Sequence, residues 1–63
     1  MVELYAHVEY KGYDIFINEV GNIFEGEIHF GGCDTGSWAS GENDVLCEDN
    51  CKSKIDELLE VYS

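Results

Sequence analysis

The sequence predicts an α+β fold, a three-stranded antiparallel β-meander with one C-terminal α-helix packed on one face, as a single βββα domain over residues 1–63. Three observations predict it. Apolar and polar residues alternate from Glu3 to Phe30, the period of a half-buried strand. Lys11-Gly12 and Gly21-Asn22 interrupt that alternation with two-residue hairpin signals. From Cys47 onward the apolar spacing changes to i, i+3, i+4, the period of a helix.

In the first strand segment Val2, Leu4, Ala6, Val8 and Tyr10 are expected to point inward, and Glu3, Tyr5, His7 and Glu9 outward. The second places Tyr13, Ile15 and Ile17 inward and Asp14, Phe16 and Asn18 outward. The third places Phe24, Gly26, Ile28 and Phe30 inward and Glu25, Glu27 and His29 outward. Two-residue loops pair Tyr10 with Tyr13 and Val20 with Ile23, which fixes the register. Three outward rows result: Glu9-Asp14-His29, His7-Phe16-Glu27 and Tyr5-Asn18-Glu25. The first sets two carboxylates, Glu9 and Asp14, against each other, a pairing that costs stability.

Residues 31–43, GGCDTGSWASGEN, read as a glycine-rich loop or irregular excursion, with Trp38 folding back as a lid on an open edge of the core in preference to standing out as an anchor for a partner. Asp44-Val45-Leu46 is either a short fourth strand or the approach to the helix. The helix is expected from about Glu48 to Tyr62, with Cys47, Cys51, Ile55, Leu58, Leu59 and Tyr62 on its apolar face. Gly26 lets it approach the sheet closely. Asp49, Asp56 and Glu60 form an acidic stripe on its back.

Charge narrows the function. Fourteen acidic residues stand against three lysines and no arginine, a net charge of −11. With 44% hydrophobic residues in clean alternation, the acidity does not signal disorder. It does disfavour direct binding of nucleic acid or an anionic membrane. No long apolar run or leader-like N-terminus occurs, so a membrane role is not expected. Met1 leads us to expect a complete small gene product that stays in the cytoplasm, as a monomer or a weak homodimer through its sheet edges.

Chemistry-bearing motifs are few. Cys47 and Cys51, with Cys33 or a histidine, could complete a zinc set, but both fit the buried helix stripe, so we expect thiols in a core and no metal or other cofactor. His7 and His29 lie beside carboxylates, yet on a flat face without a cleft, and no nucleophile elbow, HExxH or phosphate loop is present. No enzymatic activity is expected. What remains is the acidic surface, a lattice of carboxylates with Tyr5 and Phe16 as aromatic anchors. Its natural partner is a basic nucleic-acid-binding protein or complex. The residues expected to carry that interface are Glu3, Tyr5, Glu9, Asp14, Phe16, Glu25 and Glu27, with Asp49, Asp56 and Glu60 as a second face.

The meander KGYDIFINEVGNIFEGEIHF, the glycine-rich stretch and the terminal CEDNCKSKIDELLEVY resemble, in layout, size and acidity, the small anti-CRISPR proteins of phages and mobile elements. The likeness is to those that mimic DNA against type I Cascade-like complexes. It implies a non-enzymatic inhibitor that blocks the nucleic-acid-binding surface of a CRISPR-Cas effector. GGCDTGSW and DNCKSKIDELLE also resemble HicB-like antitoxins, which implies the same physical role. A small cysteine-based metal-binding or regulatory module is the remaining alternative.

Overall fold

The computed structural model describes residues 3–62. Four antiparallel strands, β1 (Glu3–Tyr10), β2 (Tyr13–Val20), β3 (Ile23–Phe30) and β4 (Cys33–Gly41), form one sheet in the order β1-β2-β3-β4. A single helix, α1 (Asp44–Tyr62), covers one of its faces. The expected inward placement of Val2 lies outside the described residues, as do the side chains of Glu3 and Tyr62.

From Ala6 onward the first two hairpins have the expected register. Tyr10 pairs with Tyr13, Val8 with Ile15, Val20 with Ile23 and Ile15 with Ile28. Lys11 and Gly12 both take positive φ (51° and 86°), the backbone of a type I′ turn, whose twist matches that of the strands it joins.

Residues 31–43 are not a loop. Gly31 and Gly32, at φ 60° and 82°, make a third two-residue hairpin, and Cys33–Gly41 returns along β3 as the fourth strand. Between the Glu27–Trp38 and His29–Asp34 pairs, Thr35, Gly36 and Ser37 stand against Ile28 alone, so β4 carries a special bulge with two extra residues. Thr35 staples it, since its hydroxyl donates to the Ile28 carbonyl at 2.7 Å and accepts the Ser37 amide at 3.2 Å. Asp44-Val45-Leu46 is neither strand nor approach but the first helical turn. Asn43 starts that turn four residues earlier than expected, its side-chain oxygen accepting the Leu46 amide at 2.9 Å and its carbonyl the Cys47 amide at 3.0 Å.

Ile15, Ile17 and Ile28 from the sheet and Cys47, Cys51 and Ile55 from α1 are fully buried, ringed by Ala6, Val8, Tyr10, Tyr13, Phe24, Ala39 and Leu59. Each fully buried isoleucine contributes about 1.5–3 kcal/mol. Helix and sheet meet closely because two glycines leave room. A Cβ on Gly26 would collide with the Cys51 sulfur, and one on Gly41 with the backbone of Leu46 and Cys47. Asn50 ties α1 to β4 through the Ser40 carbonyl at 2.7 Å.

Polar contacts hold the far side of the helix to β1. Tyr5 Oη donates to Asp44 at 3.1 Å, and Tyr10 Oη and Lys11 Nζ donate to Asp56 at 3.0 and 2.8 Å. Asp44 to Asp56 is about 18 Å of helix, and Tyr5 to Tyr10 is about 17 Å of strand. The two lengths match, so α1 is fastened along β1 from Asp44 to Asp56.

Candidate acidic interface on the open sheet face

The face away from α1 gathers most of the residues expected there. Glu9 pairs with Asp14, Asp14 with His29, and β4 extends that row to Asp34. His7 pairs with Phe16, Phe16 with Glu27, and β4 extends that row to Trp38. The third row differs at its first member. Pairing slips between Leu4 and Ala6, so Leu4, not Tyr5, stands against Asn18 and Glu25.

That slip corrects the placement of Tyr5. It sits in a β1 bulge and turns to the helix side, its ring edge-on to Phe24 at 4.9 Å and its hydroxyl on Asp44. The hydrogen bond to Asp44, then that carboxylate's charge, holds the phenol protonated and pushes its pKa up. Tyr5 is therefore not an anchor on the acidic face. Leu4 takes its place there, 62% exposed. Glu3 pairs with Glu19, beyond the bulge.

Phe16 is on the face and half-buried, stacked flat on the His7 ring at 4.7 Å and met edge-on by His29 at 4.8 Å. His7 Nε2 reaches Asp14 Oδ1 at 2.8 Å, which offsets part of the repulsion between Asp14 and Glu9. His29 Nε2 is shielded from solvent and has no hydrogen-bond partner among the described residues; Glu27 Oε2 stands 4.0 Å away, too far for one. Glu25 is half-buried, and Glu9 and Glu27 are exposed.

The lid expected of Trp38 is absent. The pairing with Glu27 points the indole outward, 58% exposed, among the carboxylates. Its strand neighbour Ala39 is the one that packs on the core. Between Trp38 and the β4 bulge the surface dips into a hollow of about 230 Å³ lined by Glu25, Glu27, Asp34, Gly36, Ser37 and Trp38. Trp38 and Asp34 were hidden in the sequence by the assumption of a loop. Gly31-Gly32 was the signal that could have found them, being a two-residue hairpin pair.

All three lysines are committed elsewhere. Lys11 pairs with Asp56 at 2.8 Å, Lys52 with Glu48 at 2.8 Å and Lys54 with Glu57 at 3.8 Å. The open face thus holds carboxylates, two imidazoles and apolar side chains, without a permanent cation among the described residues.

The second candidate face loses one member. Asp56 turns toward β1, accepting from Tyr10 and Lys11, and the Lys11 ammonium holds its carboxyl below the usual range. Asp49 and Glu60 remain exposed on α1.

The cysteines do not assemble into a centre. Cys33 is exposed beside the β3–β4 turn, while Cys47 and Cys51 are fully buried against the sheet. Burial, then the neighbouring thiol of Cys47, pushes Cys51 up to about 12, and burial raises Cys47 as well. Such thiols are poor metal ligands, because binding requires the thiolate. Among the described residues the ligand atoms of His7, Glu9 and Asp14 converge within 4.8 Å of one another. That convergence follows from cross-strand pairing, with His7 already bonded to Asp14. No described helix is long and apolar enough to cross a membrane. Comparison with protein families, with characterised proteins and with solved structures brings no match.

Proposed function

We infer that this chain is a non-enzymatic acidic inhibitor that presents its open sheet face as a mimic of DNA and blocks a basic nucleic-acid-binding surface. The segregation of charge carries the reading. Every lysine is paired at the β1–β2 turn or along α1, while Glu9, Asp14, Glu25, Glu27 and Asp34 share a face without one. Same-face residues recur at about 7 Å along a strand and about 4.8 Å between strands. A protein built to grip one charge per ~1.7 Å of duplex axis meets a comparable density of negative charge there. Trp38, Phe16 and Leu4 supply apolar contact in its midst. The layout that resembles anti-CRISPR proteins makes the DNA channel of a CRISPR-Cas effector the target this reading favours.

The test is retention of a purified type I effector complex on immobilised chain, with elution by salt and by duplex DNA. Competition by DNA and loss of retention in a Glu9→Lys/Asp14→Lys variant are expected. Retention that ignores DNA, or that fails only in an Asp49→Lys/Glu60→Lys variant, would remove the open face from the mechanism. An antitoxin role would use the same face, and retention of a basic toxin nuclease in place of the effector would select it.

A further inference from the structure

We propose that the hollow beside Trp38 is a receptor pocket for one guanidinium group, an arginine side chain of the basic partner. The inference rests on the docking reading above, but the pocket's chemistry can be examined without the partner.

Size comes first. At about 230 Å³ the hollow is below the ~300 Å³ at which small-molecule sites begin, and it suits a single side-chain head group. It exists because of the β4 bulge. The Thr35 staple fixes the extra residues, and Gly36, at φ 82°, carries no side chain to fill the space. Asp34 is held there as well, its Oδ1 accepting the Gly36 amide at 2.8 Å.

The lining then selects the ligand. Glu25, Glu27 and Asp34 bring three carboxylates to one small hollow, and no lysine of the chain reaches them, each being paired elsewhere. Trp38 lines the hollow beside Gly36 and Ser37, and an indole is the best aromatic partner for a cation. An ammonium would satisfy the charge alone. A guanidinium also matches the planar ring and offers forked donors to carboxylates on more than one side. Tryptophan and arginine are the side chains that most often dominate protein interfaces, which makes this pairing a natural centre for the contact.

Trp38 is the sole tryptophan, so its fluorescence reports on the pocket directly. The probe is a capped glycine-arginine-glycine peptide, compared with its lysine and citrulline counterparts. We expect a saturable change with arginine, at least about tenfold weaker binding of lysine, and none of citrulline. In Glu27→Gln/Asp34→Asn the response should disappear while thermal unfolding stays cooperative. Amide shifts should centre on Gly36, Ser37 and Trp38. An equal response to citrulline, no saturable response, or shifts centred on Glu9 and Asp14 would overturn the pocket; equal binding of lysine would overturn the guanidinium assignment. Should the peptide bind as described while the chain retains no basic complex, the docking reading fails and the pocket stands. If a complex is retained through Glu9 and Asp14 but the peptide is ignored, the pocket fails and the reading stands.

Discussion

Gly26 lies directly beneath Cys51, and a single methyl group on the glycine would overlap the sulfur. Ile15 Cγ2 and Cys47 Sγ close the other sides at 3.3 and 3.4 Å, so the side chains cannot simply step aside. Gly26→Ala should therefore destabilise by about 1–3 kcal/mol through overpacking. In a domain of this size that lowers Tm by about 4–8 °C per kcal/mol. Pairing it with Cys51→Ala removes the atom that collides. The double variant should be more stable than the sum of its single changes predicts, measured by thermal and urea unfolding. Strict additivity would mean that the sulfur is not what the methyl meets.

How far the sequence revealed this fold can be traced to particular residues. The β1–β2–β3 register was legible because Lys11-Gly12 and Gly21-Asn22 set loop length, and a slip by one residue would have buried carboxylates. The close approach at Gly26 was legible from its place in an inward row. Two bulges were not. A bulge breaks the period on which alternation depends, so Tyr5 and Leu4 exchange faces, and CDTGSWASG shows no clean strand pattern although it is one. The open face was thus read correctly in its β2 and β3 rows. It was misread at Tyr5 and Trp38, each at or beside a bulge. Asp56 was misplaced for another reason. A helical wheel gives its angle but not the reach of Tyr10 and Lys11 from β1.

The three thiols should separate by reactivity. Cys33 is exposed, whereas burial disfavours the thiolates of Cys47 and Cys51. Iodoacetamide at mildly alkaline pH should add one carbamidomethyl group to the folded chain, located at Cys33 by peptide mass, and three after denaturation. The same shifts fix a pH dependence. A thiol whose pKa is raised by folding keeps its proton in the native state after the unfolded chain has lost it. The contribution of Cys51 is whole below the ordinary value of 9.0 and is lost as pH climbs through about 12. Unfolding midpoints should fall across that window, and Cys51→Ser should flatten the fall.

Asp56 is expected to act on stability and not on docking. Its carboxylate receives Lys11 and Tyr10, and the Lys11 bond, then the Tyr10 hydroxyl, hold its pKa below 3.8 against the opposing effect of desolvation. A carboxyl with a lowered folded pKa stabilises above its unfolded value, and that stability disappears as pH falls through the folded one. Asp56→Asn should lower Tm by a few degrees at neutral pH and weaken the loss of stability below pH 3.8. Retention of a basic partner should be unchanged. A weakened interaction with no change in melting would return Asp56 to the interface.

Glu9 and Asp14 pull stability and function in opposite directions. They face each other across β1 and β2, and opposed like charges cost about 0.2–1 kcal/mol relative to a neutral pair. His7 offsets the Asp14 side of that repulsion, but among the described residues no permanent positive charge on the face offsets Glu9. Glu9→Gln keeps the shape and removes one charge, so it should stabilise the chain by about 0.2–1 kcal/mol. Salt should raise the melting temperature of the parent chain, since its charge of −11 repels itself, and should raise that of the variant by less. The same change should weaken retention on a basic nucleic-acid-binding complex at low salt, with the difference narrowing as screening increases. A carboxylate kept at a cost to the fold and needed for docking gives both results. If Glu9→Gln were neutral in both assays, the charge of Glu9 would matter neither to the fold nor to docking, and the interface would have to rest on the β3 and β4 side of the face.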